Sequence, residues 1–218
     1  MPGIIRVKSP GVFGQGVKIG FQVLISCLVT VLVVGPAAVA VSRPGSSGRK
    51  VIAVAPVGDA DPEVVEALLP AIRESFGREA VAVKAIPMPA SAYDPQRRQH
   101  SSSAVLNALA AAKRPEWERL LGVADVDLYV PDLNFVFGEG DSRRGVAVFS
   151  LARLHDPDLQ IFEKRAAIEA IHELGHTYGL AHCSNPHCVM WFSNTLADSD
   201  RKGTRFCSEH SAEIARIQ

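Results

Sequence analysis

The sequence predicts an α/β domain, with helices packed on a twisted mixed sheet and a small irregular C-terminal lobe after Gly179. Two observations lead there. Between Lys50 and Tyr178, short apolar runs of strand length alternate with stretches of helical period. Length and composition agree: 218 residues, 47% of them hydrophobic, suffice for one domain with a sizeable core plus a targeting segment. Lys+Arg and Asp+Glu are equal at 23 each, so charge gives no case for a nucleic-acid partner.

Residues 1–18 form a basic segment with Arg6, Lys8 and Lys18. Residues 19–42 carry no charge and, as a helix, would be long enough to cross a hydrocarbon core of ~30 Å. The same stretch reads as a signal peptide, because Ala38-Val39-Ala40 is a small-residue cleavage site. A translation start assigned too far upstream is the third reading and would leave the protein cytoplasmic. Basic residues flank the stretch on both sides, so its orientation is open. Residues 43–49 are a Gly/Ser/Pro-rich flexible linker. The folded domain is expected over residues 50–218, divided into 50–179 and 180–218.

Within that domain Lys50–Ala55 is a strand. Asp61-Pro62-Glu63 starts a helix whose apolar face runs through Val64, Val65, Leu68 and Leu69, and Pro70 is expected to kink it or end it before Phe76. Val81–Ile86 is a second strand, Pro87–His100 a loop, and Ser103–Ala112 a serine-capped helix. Val126–Val130, Phe135–Phe137 and Val146–Leu151 supply further strands, and Glu163–Tyr178 a final helix.

That helix carries the chemistry. In His172-Glu173-Leu174-Gly175-His176-Thr177-Tyr178-Gly179-Leu180-Ala181-His182, the first two histidines are four residues apart, so both rings leave one helical face. Two neutral imidazoles can hold Zn²⁺, and Gly179 can take a positive φ, end the helix and return His182 as a third ligand. A fourth position is left for water. The five fixed residues would occur by chance in roughly one chain in ten thousand or fewer, so the extended pattern, similar to the metzincin signature, is specific. Tyr178 and His155 could each stabilise an oxyanion, but packing or surface roles are the preferred reading.

Of four cysteines, Cys27 lies in the apolar N-terminal stretch and the other three follow His182. Three thiols cannot all pair as disulfides. Cys183, Cys188, Cys207 and His210 instead make two short ligand pairs, the Cys₃His set of a structural zinc. His187 competes with His210 for the fourth place, and free buried thiols are the bland alternative. Met190 follows His182 by eight residues, within an apolar run.

These residues together resemble the archaemetzincin (archaelysin) family. The resemblance rests on the zinc motif followed at once by Cys183, then Cys188, Met190 and Cys207, and extends to Val51–Gly58, Tyr93-Asp94-Pro95, Asp125–Tyr129, Asn134–Gly138 and Ser193-Asn194. It implies a metzincin-like zincin fold with an active-site helix. It also implies His172, His176 and His182 as catalytic zinc ligands, Glu173 as general base, a structural zinc on the cysteines, and Met190 beneath the catalytic site. His210 departs from the family's usual cysteine. By analogy with metzincins, Val146–Leu151 is expected to be the sheet edge that holds an extended peptide.

The expected function is zinc-dependent hydrolysis of peptide bonds by a zinc-activated water, with two zinc ions per chain and a peptide or protein as substrate. A monomer is expected, with membrane anchoring or export through residues 19–42. The competing class is a zinc-binding regulatory module without peptidase activity, and a zinc hydrolase of non-peptide amides is a second rival.

Overall fold

Alternate residues of the first strand serve two different cores, and this splits the molecule into layers. The structure, a computed structural model, describes residues 50–217. In β1 (Val51–Val57), Ile52 and Val54 pack in one apolar cluster while Ala53, Ala55 and Val57 pack in the other, all within 1% of full burial. A strand buried on both faces reads as a continuous apolar run, as this one does.

The strand leads to α1 (Pro62–Phe76), capped by the Asp61 carboxylate on the Glu63 N–H at 2.8 Å. Pro70 does not end the helix, which runs through it to Phe76 and stops only at Gly77, which has φ 57°. Pro70 and Glu66, whose carbonyl loses its partner, both face solvent, so water can satisfy that carbonyl. Next come β2 (Glu79–Ala82), a single 3₁₀ turn at Ala90–Ala92, and the short β3 (Tyr93–Asp94) and β4 (Gln99–Ser101) inside the segment expected to be loop. The helix α2 (Ser102–Ala112) has Ser101 as its cap.

The central strand was not anticipated. β5 (Trp117–Ala124) lies in the middle of the main sheet, while the expected strand at Val126–Val130 shrinks to β6 (Leu128–Tyr129) in a small second sheet. Likewise the strand expected at Phe135–Phe137 begins at its end, as β7 (Gly138–Asp141), followed by β8 (Val146–Ser150). The helix α3 (Leu159–Thr177) starts earlier than expected, at an Asp158 cap. After it, α4 (Leu196–Arg201) and α5 (Ser208–Ile217) add two helices to the part expected to be irregular.

The five-stranded sheet has the order β2-β1-β5-β8-β7, parallel except for β7, which is antiparallel to β8. The α/β class with a mixed sheet therefore holds. The edge assignment does not: Val146–Leu151 forms an interior strand paired on both sides, and the edge is Gly138–Asp141. The cluster on one face joins α1 and α3 to the sheet, and the cluster on the other joins α2. Among the described residues no helix is long and apolar enough to cross a membrane. The expectations for residues 1–18, 19–42 and 43–49 fall outside the described residues.

Candidate metal centres and the cleft between them and the sheet edge

The last turn of α3 ends as its sequence requires. Gly179 has φ 87°, donates to the His176 carbonyl at 3.0 Å, and is followed by Leu180 donating to the Gly175 carbonyl at 3.2 Å. That pair of bonds is the Schellman cap, and it reverses the chain sharply enough to bring His182 back to the helix.

His172, His176 and His182 converge. Their ring centroids lie 4.7, 4.9 and 5.4 Å apart, and one ring nitrogen from each falls within a 4.8 Å cluster. His172 Nδ1 sits 2.8 Å from the Val189 carbonyl and His176 Nδ1 2.9 Å from the Leu180 carbonyl. A carbonyl only accepts, so each Nδ1 carries the proton and each Nε2 keeps its lone pair. Those two Nε2 atoms are 3.1 Å apart, whereas ligands of a tetrahedral zinc at 2.0–2.1 Å lie ~3.3 Å from each other. Burial holds all three imidazoles below their ordinary basicity, which keeps them neutral and able to ligate. The donor set fits zinc.

Glu173 is buried beside them. Burial first, then the neighbouring Glu169, push its carboxyl well above the usual range, and Lys202 pulls the other way. The strand β7 crosses directly over it. A Cβ on Gly138 would fall 2.5 Å from Glu173 Cγ, and one on Gly140 would fall 2.7 Å from the Glu173 carbonyl oxygen and His176 Cβ. Only glycine at both positions lets the edge strand come this close to α3. Met190, fully buried, packs its sulfur against Gly175 of α3.

The second cluster is Cys183, Cys188, Cys207 and His210, with His210 rather than the exposed His187 completing it. Cys183 Sγ and Cys207 Sγ are 3.8 Å apart, too far for a disulfide and equal to the ~3.8 Å between two sulfurs bound to one tetrahedral zinc. His210 Nδ1 lies 3.2 Å from Cys207 Sγ and 3.8 Å from Cys188 Sγ. The Asn185 and Cys207 backbone N–H groups donate to Cys183 Sγ and Cys188 Sγ at 3.4 and 3.3 Å. The His210 N–H, first among several bonds, also pulls the Cys207 thiol down, while burial pushes Cys188 up. Such N–H groups stabilise thiolates, the form that binds metal. The two clusters share the chain between His182 and Cys183.

A cleft of about 590 Å³ opens beside the histidines, walled by β7, the Leu133–Phe137 loop and the Phe192–Asn194 segment. Three residues there carry no signal that sequence reasoning used: Glu139, Glu169 and Lys202. Glu169 was findable, lying one helical turn from both His172 and Glu173; Lys202 was not. Tyr178 stacks on Phe76 at 5.2 Å, and His155 pairs with Asp125 at the surface, as packing and surface residues do.

The model of peptidase family M54 matches residues 82–216. The chain is 43% identical over 136 residues to the archaemetzincin of Methanopyrus kandleri, covering 62% of this chain and 77% of that one. It is 40% identical over 164 residues to the archaemetzincin of Methanocaldococcus jannaschii, covering 72% and 89%. The crystal structure of the M. kandleri protein superimposes with a TM-score of 0.72 at 35% identity, over 78% of this chain and 96% of that one. The structure of the Archaeoglobus fulgidus archaemetzincin, complexed with malonate, does so at 0.68 and 36%, over 75% and 99%. Family, fold and donor chemistry agree, and the chain belongs to peptidase family M54, the archaemetzincins, as a zinc metallopeptidase.

Proposed function

We propose that the chain hydrolyses peptide bonds at a catalytic zinc held by His172, His176 and His182, with Glu173 as general base. Cys183, Cys188, Cys207 and His210 would hold a second, structural zinc. The observation that carries this reading is the convergence of three neutral imidazoles, two with backbone-locked tautomers, next to a buried carboxylate. When bound, zinc supplies the Lewis acidity that polarises a carbonyl and acidifies water.

The protein's own groups do the rest. Glu173 takes a proton from water on the cleft side and returns it to the leaving amine. Burial, and after it Glu169, raise its proton affinity, which helps it to hold the proton between the two transfers. The edge strand β7 offers its outward main-chain groups to an extended peptide, and its glycines set that peptide close above Glu173. Met190 supports the helix from below, and the cysteine cluster braces the segment that delivers His182. The non-peptidase module is not favoured by membership in a peptidase family.

Fluorogenic peptides assayed with zinc and with a chelator test the reading. Chelator-sensitive cleavage that is lost in Glu173→Gln supports it; equal turnover by that variant ends the role of Glu173. Membrane anchoring or export through residues 19–42 is proposed separately, and is tested by fractionating cells that express the full chain.

A further inference from the structure

The floor of the cleft holds an ion pair whose lysine the proposed hydrolysis does not use. Glu169 lies one turn of α3 before His172. Lys202, at the end of α4, meets it with Nζ 3.8 Å from Glu169 Oε1, and the two side chains are only 1% and 2% exposed. The Ser199 hydroxyl donates to the same carboxylate at 2.7 Å. At 3.8 Å the two charges form an ion pair rather than a short hydrogen bond. On the same cleft wall the Ser193 hydroxyl oxygen is buried without a hydrogen-bond partner among the described residues. A buried pair stabilises a fold little compared with apolar residues of similar volume, so its presence on the wall of a binding cleft calls for another reason.

We propose that this pair selects the substrate. Specifically, Lys202 and Glu169 receive the side chain next to the scissile bond on the Glu169 side of His172, and they favour a primary amide, glutamine or asparagine. The inference rests on the peptidase reading above. A donor and an acceptor stand side by side on the floor. A carboxylate side chain gains Lys202 but faces Glu169, Glu173 and Glu139, all on the same cleft. A cationic side chain meets Lys202 and the charge of the metal centre. An aliphatic one returns no hydrogen bond to either polar group. A primary amide carries an acceptor and a donor on one carbon and satisfies both.

The test is a peptide series with Gln, Glu, Lys or Leu at each position flanking the cleaved bond. It is read as kcat/KM on the zinc-loaded enzyme and as affinity, by calorimetry, on the non-cleaving Glu173→Gln protein. Gln is expected to exceed Leu about tenfold or more at one flanking position, in both readouts. Glu169→Gln should move that preference to Glu, because Lys202 is then uncompensated. A triple variant, Lys202→Met with Glu169→Leu and Ser199→Ala, leaves no charge stranded in the fold and should prefer Leu. A wild type that prefers Leu, Glu or Lys at every position overturns the inference, as does a triple variant that keeps the Gln preference. Binding with the expected preference but without wild-type cleavage would sink the peptidase reading and leave the inference standing. Cleavage without preference would do the reverse, and absence of both binding and cleavage would end both.

Discussion

Gly138→Ala should silence the enzyme without removing its metal. The new Cβ would fall 2.5 Å from Glu173 Cγ, 2.7 Å from its Cδ and 2.6 Å from the Val148 carbonyl oxygen. Carbon atoms in contact sit ~3.5–4.0 Å apart, so the Glu173 contact must open by about 1 Å. Val148 belongs to an interior strand paired on both sides and cannot retreat. The displacement therefore falls on the Glu173 side chain or on β7, the two parts that the proposed reaction needs in register. A misplacement of ~1 Å in reacting geometry costs on the order of 10²-fold in rate. Overpacking costs ~1–3 kcal/mol of stability, which a folded domain of this size tolerates. None of the three atoms nearest the new methyl group belongs to an imidazole, so zinc content should be unchanged. The assay is kcat/KM on a fluorogenic peptide, with zinc measured by elemental analysis and folding by circular dichroism. A folded, zinc-replete variant within about threefold of wild-type kcat/KM would refute the reasoning.

Further outcomes follow from the same contacts. Glu173→Gln should lower turnover by on the order of 10²–10⁴ while zinc stays bound, as checked by kinetics beside elemental analysis. Cys207→Ser removes a ligand from the second cluster and, on the proposed two-zinc reading, should reduce zinc from two to one per chain. It should also destabilise the fold by on the order of several kcal/mol, read from urea unfolding, because binding energy there is folding energy. Gly179→Ala forces a side chain onto φ 87°, costing about 1–2 kcal/mol, and should weaken zinc affinity by loosening the return of His182, measured by competition with a chelator. The Arg165 side chain, hydrogen-bonded to Asp200, holds that carboxyl below its ordinary value of 3.8. A depressed carboxyl contributes its full stability above 3.8 and loses it as pH falls through the lower folded value. The gap in urea midpoint between wild type and Arg165→Met should therefore be wide at neutral pH and close as the pH drops below that point.

Residues that depend on their neighbours along the chain were readable from the sequence. His172 and His176 share a helical face by spacing alone, Gly179 ends the helix by its freedom of φ, and Asp61 and a serine start their helices through bonds two or three residues away. The serine is Ser101, before a helix that begins at Ser102 rather than Ser103. The cysteine pairs and His210 followed from short ligand spacing, and the geometry brings them together with His187 left outside. Pro70 does not end its helix because its cost depends on whether the freed carbonyl meets water, which is a matter of placement in the fold. β5 was missed because Trp117-Glu118-Arg119 opens it with charge, and Glu118 is used in a pair with Arg78 at 3.0 Å. The segment Gly138-Glu139-Gly140-Asp141 has the composition of a turn, yet it forms the edge strand because it needs to lie against α3 without side chains in between.

The sequence alone determined the histidine triad and each short ligand pair of the second cluster, since ligands three to six residues apart are joined by a few torsions. Cys188 and Cys207, 19 residues apart, meet only through the fold. Tertiary structure decided what surrounds that chemistry: which strand forms the edge over Glu173, and that Lys202 lies beside Glu169. Those contacts join segments more than thirty residues apart, where α4 is held to α3 by Arg165 and Asp200. Their positions follow from the packing of whole elements, which no local pattern of residues encodes.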